Sequence, residues 1–220
     1  MRSFDEIFAI SAARKGGAAA LESQLAAPLP AKKLAEIPDD RWLSTLSRCV
    51  FQAGFNWKVV AAKWPGFEEA FHGFDPGRVA MMEPDAFDAL LSDSRVVRNG
   101  TKLQSVIDNA AFILELRQQG GAGTVLGGWP ASDFVGLLDR LKRDGSRLGG
   151  STAMFAMRFM GRDAFVLSPD VQARLRAEGV FDGAAGSKKS MRAIQEAFNV
   201  WMDQSGRSLT EISRVLAMSL

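Results

Sequence analysis

Apolar residues recur mainly at intervals of three and four along this chain of 220 residues, and alternating runs typical of β-strands are few and short. An α-helix presents every third or fourth residue on one face, so this spacing predicts an almost entirely helical, all-α fold. The predicted helices span 3–14, 17–25, 39–53, 56–63, 84–91, 100–119, 132–143, 151–160, 170–178, 188–204 and 208–218.

Two of these helices begin with a capping box. Ser3 with Glu6, and Ser208 with Glu211, have the spacing in which hydroxyl and carboxylate satisfy each other's free backbone donors. Both ends of the chain are therefore expected to be helical.

Glycine clusters at 120–123 and 183–186 mark the strongest predicted breaks, because glycine weakens helices and supplies turns with positive φ. They suggest a single unit with two lobes. We expect lobe A to comprise 1–50 with 180–220, and lobe B to comprise 51–179.

The composition excludes several classes of protein. A net charge of +2 permits a basic face without the cationic excess of a chromatin protein. A single Cys49 and a single His72 cannot form an internal disulfide or a metal site of the usual Cys/His type, so no metal or cofactor is expected. The first residues lack the apolar core of a signal peptide and no apolar run is long enough to span a membrane, so we expect a soluble intracellular protein.

The segment from Phe134 to Gly161 is predicted to be a helical hairpin. Its turn contains Arg147, Gly149 and Gly150 and leads into a helix that starts at Ser151-Thr152. Backbone N–H groups at such a helix start attract phosphate, as in helix-hairpin-helix elements that hold a DNA backbone. The alternative is an ordinary pair of helices with glycine in the turn.

Residues 51–110 contain a series of motifs rich in aromatic residues and glycine. They are Phe51-Gln52-Ala53-Gly54-Phe55-Asn56-Trp57-Lys58-Val59-Val60, Phe67 with Ala70-Phe71, Gly73-Phe74-Asp75-Pro76 with Val79-Ala80, and Val96-Val97-Arg98-Asn99-Gly100 with Lys102-Leu103 and Asn109-Ala110. Over about 45–115 the chain thereby resembles the bacterial 3-methyladenine DNA glycosylase I family, and Gly150-Ser151-Thr152 with Phe159 to Gly161 extends the resemblance. That family belongs to the helix-hairpin-helix DNA glycosylases, so the resemblance implies a two-lobed fold of that kind.

The resemblance also implies roles in base flipping. Trp57 matches the tryptophan that stacks on the extruded base, and Phe55, directly after Gly54, matches the wedge that fills the vacated stack. An aromatic wall suits an N3-methylated purine, which is cationic and gains cation–π attraction. Without the surrounding motif, packing in a helical core would be the simpler explanation for both aromatics.

The base pocket is expected to include Cys49, Phe51 and Gln52 beside Trp57. Cys49 stands five residues before Gly54, where the family has a glutamate that hydrogen-bonds the bound purine. A neutral thiol is a weak donor and acceptor, so recognition through that carboxylate cannot operate in this chain. The chain also contains no tyrosine.

Contacts to the DNA backbone are expected from the start of a long helix and from the hairpin. The predicted residues are Arg98, Asn99, Lys102, Arg147, Gly149, Gly150, Ser151 and Thr152. For the first three, a solvated and capped helix start is an equally good explanation.

The chain departs from the family at two further places. The family's zinc site, with cysteine and histidine ligands, cannot exist here, and the C-terminal helices are expected to replace it by burying apolar surface. The broader superfamily places a catalytic aspartate after the hairpin. Asp170 is the candidate here, although direct spacing from Phe165 puts Ser168 at that position.

These features predict a monofunctional DNA glycosylase of base excision repair that hydrolyses the N-glycosidic bond of alkylated purines such as 3-methyladenine in damaged double-stranded DNA. One alternative is a non-catalytic protein that binds damaged or distorted DNA on the same scaffold. A weaker one is a helical protein that binds a partner through a former pocket. We expect a monomer in the bacterial cytoplasm, associated with the nucleoid and not with a membrane.

Overall fold

The computed structural model describes all 220 residues and contains α-helices, short 3₁₀ turns and no β-strand, as the apolar spacing predicted. The helices are α1 (Phe4–Lys15), α2 (Ala18–Glu22), α3 (Ala31–Ala35), α4 (Asp39–Gln52), α5 (Trp57–Ala70), α6 (Pro76–Ala80), α7 (Pro84–Ser92), α8 (Gly100–Arg117), α9 (Ala122–Val125), α10 (Phe134–Asp144), α11 (Ser151–Phe159), α12 (Pro169–Ala177), α13 (Lys188–Ser205) and α14 (Leu209–Ala217). No helix is both long and apolar enough to cross a membrane.

The chain forms two compact units. The terminal unit consists of Met1–Leu29, Trp129–Leu137 and Gly161–Leu220, and the central unit consists of Pro30–Gly128 and Leu138–Met160. This division differs from the expected lobes, which placed 30–50 with the termini, and 129–137 and 161–179 with the middle. Helix α4 packs against α8, and α12 packs against α14, so each of these segments lies with the other group.

In the terminal unit both predicted capping boxes are confirmed, at Ser3 with Glu6 and at Ser208 with Glu211. Helices α13 and α14 bury the expected apolar residues, which are Ala197, Phe198, Trp201, Leu209, Ile212, Val215 and Leu216. The C-terminal helices therefore supply a substantial apolar core, since each large buried side chain stabilises by roughly 1.5 to 3 kcal/mol.

Polar groups tie both chain ends to the end of α12. Glu178 accepts hydrogen bonds from the backbone N–H of Arg2 at 2.8 Å and from its guanidinium at 2.7 Å. Arg174, one turn earlier on α12, contacts Glu178 at 3.3 Å and donates to the backbone carbonyl of Ser219 at 2.6 Å. The Arg174 and Glu178 side chains are 8% and 2% exposed, so this is a buried ion pair.

In the central unit, helix α5 runs beyond the predicted end at residue 63 and contains Pro65. Proline normally interrupts a helix, because it lacks an N–H and clashes with the preceding turn. Here a stack of aromatic rings continues past it: Trp64 lies 4.8 Å from Phe67 and 5.3 Å from Phe74 between ring centroids. Tertiary packing of aromatic rings has overridden the local signal.

Three short helices, α3, α6 and α9, lie outside the predicted helix ranges. Helix α9 starts at Ala122, inside the glycine stretch expected to form a break. Gly120 and Gly121 do adopt positive φ, but Gly123 lies within the helix. A Cβ at Gly123 would lie 2.2 Å from the backbone carbonyl of Leu34, so this glycine allows α9 to approach α3 closely.

Candidate functional site

A small pocket of about 170 Å³ opens in the central unit at the end of α4. The end of α4, the following turn and the starts of α5 and α11 contribute its lining, which is Cys49, Gln52, Ala53, Gly54, Trp57, Ser151, Thr152 and Phe155. Pockets for drug-sized ligands usually measure roughly 300 to 1,000 Å³. The volume here suits a single heterocyclic base better than a larger ligand.

Trp57 is placed at the mouth of this pocket by the start of α5. Asn56 caps that helix, its side-chain oxygen accepting from the N–H of Lys58 at 2.9 Å. The indole ring meets Phe155 and Phe159 edge to face, with centroid distances of 5.3 and 6.0 Å. Trp57 nevertheless stays 43% exposed, which leaves aromatic surface for a stacking partner.

The turn between α4 and α5 presents Phe55 to solvent. Gly54 adopts φ of +68°, a conformation that glycine reaches without the steric cost of a Cβ. The next residue, Phe55, is 45% exposed. An exposed aromatic on a tight turn beside a pocket has the form expected of a wedge between DNA bases.

The start of α8 holds the end of α4, where this turn begins. Nζ of Lys102 donates to the backbone carbonyls of Phe51 at 3.2 Å and Ala53 at 2.6 Å. Burial, and then the nearby charge of Arg147, lower the pKa of Lys102. A cation at the C-terminal end of a helix also interacts favourably with the helix dipole. Lys102 therefore holds the end of α4 in place.

The other two residues predicted at this helix start differ in role. The side-chain oxygen of Asn99 accepts from the N–H of Lys102 at 3.1 Å and caps α8. Arg98 is exposed and makes no hydrogen bond or ion pair. Of this group, Arg98 is the residue whose charge is free to meet a phosphate.

The predicted hairpin is present as α10, a turn and α11. Asn109 of α8 fixes the turn, because its amide donates to the carbonyl of Ser146 at 3.0 Å and accepts from the N–H of Ser146 at 2.8 Å. The next residue, Arg147, has φ of +59° and donates to Thr101 at 2.9 Å. Gly150 precedes α11 at φ of +58° and supplies no side-chain cap.

Gly149 lies in the same turn, and the two residues that open α11 line the pocket: Ser151 is exposed and Thr152 is half-buried. The start of α11 and the pocket are thus one continuous surface of the central unit.

Cys49 and Gln52 form the inner wall of the pocket, and both are buried, at 3% and 5% exposure. Burial raises the pKa of the Cys49 thiol to about 12, which keeps it neutral near pH 7. No carboxylate lines the pocket. The site can enclose a flat heterocycle and offer it hydroxyl, thiol and amide groups, but it offers no formal charge.

Two expected site residues are not among those that line the pocket. Phe51 does not line the pocket, because its ring is fully buried and meets Phe67 edge to face at 4.6 Å. Asp170 is exposed in the first turn of α12 and belongs to the terminal unit, whereas every pocket residue belongs to the central unit. Ser168 caps the same helix by accepting from the N–H of Val171.

Phe155 is the pocket residue that the sequence motifs did not indicate. It lies four residues before Phe159 on α11, and both rings contact Trp57. Aromatic residues at this spacing share one helix face, so a pair close to the hairpin turn was the available signal. No group of three or more Cys, His, Asp or Glu residues is arranged to hold a metal ion.

The methyladenine glycosylase family model matches residues 35–125, a range that contains α4, α5, the turn between them and α8. The matched range is 91 of the 220 residues, so it covers less than half of the chain. The chain is similar to DNA-3-methyladenine glycosylase 1 of Escherichia coli strain K12 and to DNA-3-methyladenine glycosylase of Haemophilus influenzae, each 36% identical over 69 residues. Each match covers 31% of this chain and 37% of the relative, so it spans little more than a third of those proteins.

Solved structures of 3-methyladenine DNA glycosylase I are similar to this chain in fold. A tyrosine-to-phenylalanine variant of 3-methyladenine DNA glycosylase I, solved in complex with 3-methyladenine, superposes with a TM-score of 0.53 at 23% identity, covering 68% of this chain and 89% of that one. A glutamate-to-glutamine mutant of the Staphylococcus aureus enzyme gives 0.52 at 22% identity with the same coverage. The all-α glycosylase fold therefore extends well beyond the matched residues.

Proposed function

We propose that this protein is a DNA glycosylase of base excision repair that removes alkylated purines such as 3-methyladenine from double-stranded DNA. The observation that carries the proposal is the pocket of the central unit, with Trp57 exposed at its mouth and Phe55 on the adjoining turn. The names of the Escherichia coli and Haemophilus influenzae relatives support the same substrate class.

Flipping begins with the duplex held by its backbone. The hairpin turn at Gly149 and Gly150, the free N–H groups at the start of α11 and the exposed Arg98 supply donors and charge for phosphates. Phe55 then enters the base stack as the damaged nucleotide leaves it, which compensates part of the few kcal/mol lost in unstacking.

The flipped base enters the pocket and stacks on Trp57. In DNA an N3-methylated adenine is cationic, so the indole attracts it by cation–π interaction as well as by stacking. Hydrolysis adds the oxygen of water to C1′ of the sugar, and the base departs with the electron pair of the N-glycosidic bond. A cationic base leaves readily, so the reaction needs no strong general base. Asp170 is our candidate for assisting the water.

The neutral inner wall favours a second candidate function. Because Cys49 replaces the family's glutamate and stays protonated, the pocket lacks the carboxylate that grips the purine in the family. A protein that recognises damaged DNA without cutting the glycosidic bond would fit the same surface. Under either function we propose a monomer acting on nucleoid DNA in the bacterial cytoplasm.

The decisive experiment measures bases released from methylated duplex DNA by chromatography. We expect the wild type to release 3-methyladenine, and Trp57→Ala to lower the rate about 5- to 150-fold, because stacking on an aromatic ring stabilises a base by roughly 1 to 3 kcal/mol. Met81→Ala, which truncates an exposed apolar side chain outside the pocket, is the control.

Two further variants separate the candidate functions. Asp170→Asn is expected to slow release if that carboxylate assists water, and Cys49→Glu to increase it if the missing carboxylate limits recognition. Wild-type protein that binds methylated duplex but releases no base at high concentration would refute the glycosylase and leave the binding protein.

A further inference from the structure

Recognition of the base edge requires a hydrogen-bonding group in the pocket. Only a few of the lining side chains can supply one. The family's glutamate is absent, and the thiol in its place is a weak partner for hydrogen bonds. The hydroxyls of Ser151 and Thr152 lie on the outer, more exposed side of the lining. On the buried side, the amide of Gln52 is the one strong hydrogen-bonding side chain.

The side chain of Gln52 carries a buried polar atom that faces no partner in the protein. The residue is 5% exposed and lines the pocket, and its side-chain oxygen Oε1 has no hydrogen-bond partner. Buried polar atoms in native proteins are almost always paired, and an exception calls for an explanation. An N–H group of a bound ligand would complete the pairing.

The position of Gln52 on α4 allows it to serve the space that a glutamate at residue 49 would have filled. The two residues are three apart in the sequence and therefore lie on the same helix face. Side chains on a helix lean toward its N-terminal end, so that of Gln52 extends back toward the turn that carries Cys49. The shorter Cys49 leaves room for it.

Lys102 fixes the backbone from which Gln52 reaches. Its ammonium group donates to the carbonyls of Phe51 and Ala53, the residues on either side of Gln52. A recognition group needs a fixed backbone to discriminate between ligands by geometry.

We propose that the Gln52 amide reads the purine edge in place of the family's glutamate, with Oε1 accepting from the 6-amino group and Nε2 donating to N7. A glutamine pairs in this bidentate way with adenine, whereas guanine presents two acceptors, O6 and N7, on the same edge. The pocket thus selects 6-amino purines over 6-oxo purines. This inference rests on the proposed function, in that the ligand is a flipped purine.

Binding of free bases tests the proposal without requiring catalysis. Isothermal titration calorimetry compares 3-methyladenine with 3-methylguanine for the wild type, for Gln52→Met, which keeps the length of the side chain, and for Gln104→Met, which changes an exposed glutamine of α8. We expect the wild type and the control to prefer 3-methyladenine. Gln52→Met should reduce that preference about 5- to 150-fold, the discrimination of one bidentate pair.

A second variant covers the case in which Gln52→Met does not fold, as judged by thermal melting. Gln52→Glu keeps an acceptor for the amino group and loses the donor to N7, so its preference for 3-methyladenine should fall by a smaller factor. An unchanged preference in the folded variants, a wild type that binds both bases equally, or a wild type that binds neither would overturn the proposal.

The same preparations distinguish this inference from the proposed function. A Gln52-dependent preference in a protein that releases no base from methylated DNA supports the inference and refutes the glycosylase. Release of 3-methyladenine with a base preference that does not depend on Gln52 supports the glycosylase and refutes the inference.

Discussion

Replacing Lys102 by methionine tests which of two roles this side chain has, stabilising the fold or binding a DNA phosphate. In the structure its ammonium group is half-buried and donates to the carbonyls of Phe51 and Ala53 at the end of α4. A lysine used in this way stabilises the fold and has little capacity left for a phosphate. Lys102→Met is therefore expected to lower stability far more than it changes the electrostatics of DNA binding.

The size of the stability loss follows from the two contacts. Hydrogen bonds from a charged donor contribute roughly 1.5 to 3 kcal/mol each. Ala53 is exposed, so water can solvate its carbonyl after the change, whereas Phe51 is fully buried. The lysine also regains conformational freedom when the protein unfolds, which offsets up to about 2 kcal/mol. We expect a net loss of about 2 to 3 kcal/mol, or roughly 4 to 12 °C in Tm for a chain of this size.

Arg98→Met is the matched comparison, since Arg98 precedes the same helix but is exposed and unpaired. Urea unfolding measures stability, and the salt dependence of duplex binding measures phosphate contacts. Removing one contact should reduce the slope of log K against log salt by about 0.9. We expect that change for Arg98→Met with stability within about 0.5 kcal/mol of wild type. A Lys102→Met protein with full stability and a shallower salt slope would refute the reasoning.

Three other changes test separate parts of the structure. Burial alone would raise the pKa of Glu178, but hydrogen bonds from Arg2 and Arg174 lower it overall, so its stabilising contribution is present above the unfolded pKa of about 4.3 and is lost as pH falls through the folded pKa. Urea unfolding of Glu178→Gln at pH 6 and pH 3.5 should show a smaller difference than the wild type, and equal pH sensitivity would contradict this. Gly123→Ala should destabilise by about 1 to 3 kcal/mol in urea, because its Cβ would overlap the carbonyl of Leu34. Cys49, buried with a pKa of about 12, should resist iodoacetamide at pH 8 until the protein unfolds; rapid modification of the native protein, followed by mass spectrometry, would count against the buried site.

The helical class and most long helices follow from apolar spacing and capping residues, because these signals are local. The capping box at Ser208 and Glu211 is an example that the structure reproduces. The extension of α5 past Pro65 was not predictable in this way, because it depends on Phe74, which lies outside that helix and stacks on Trp64. Helix α9 likewise depends on a close approach between Gly123 and Leu34, which are distant in sequence.

The candidate site likewise has one part that the sequence predicts and another that depends on tertiary packing. Trp57, Gln52 and the turn at Gly54 lie within one contiguous motif, so the sequence places them together. Phe155 joins them because α11 packs against α4, a tertiary contact that the spacing of Phe155 and Phe159 does not reveal by itself. The motif also suggested Phe51 as a pocket residue, but a one-residue difference on a helix turns a side chain by about 100°, and its ring enters the core instead.

The terminal unit shows how a chain with one cysteine and one histidine can hold its two ends together. Arg2 lies at the N-terminal end and Ser219 at the C-terminal end, and both bind to the last turns of α12 through Glu178 and Arg174. A zinc clamp would make stability depend on metal, because ligand binding contributes directly to folding. The buried carboxylate of Glu178, with its lowered pKa, makes the stability of this chain depend on pH instead. Removing one partner of a buried ion pair commonly costs about 3 to 5 kcal/mol, because the other charge is left buried and unpaired, so a change at Arg174 or Glu178 should weaken the attachment of both chain ends.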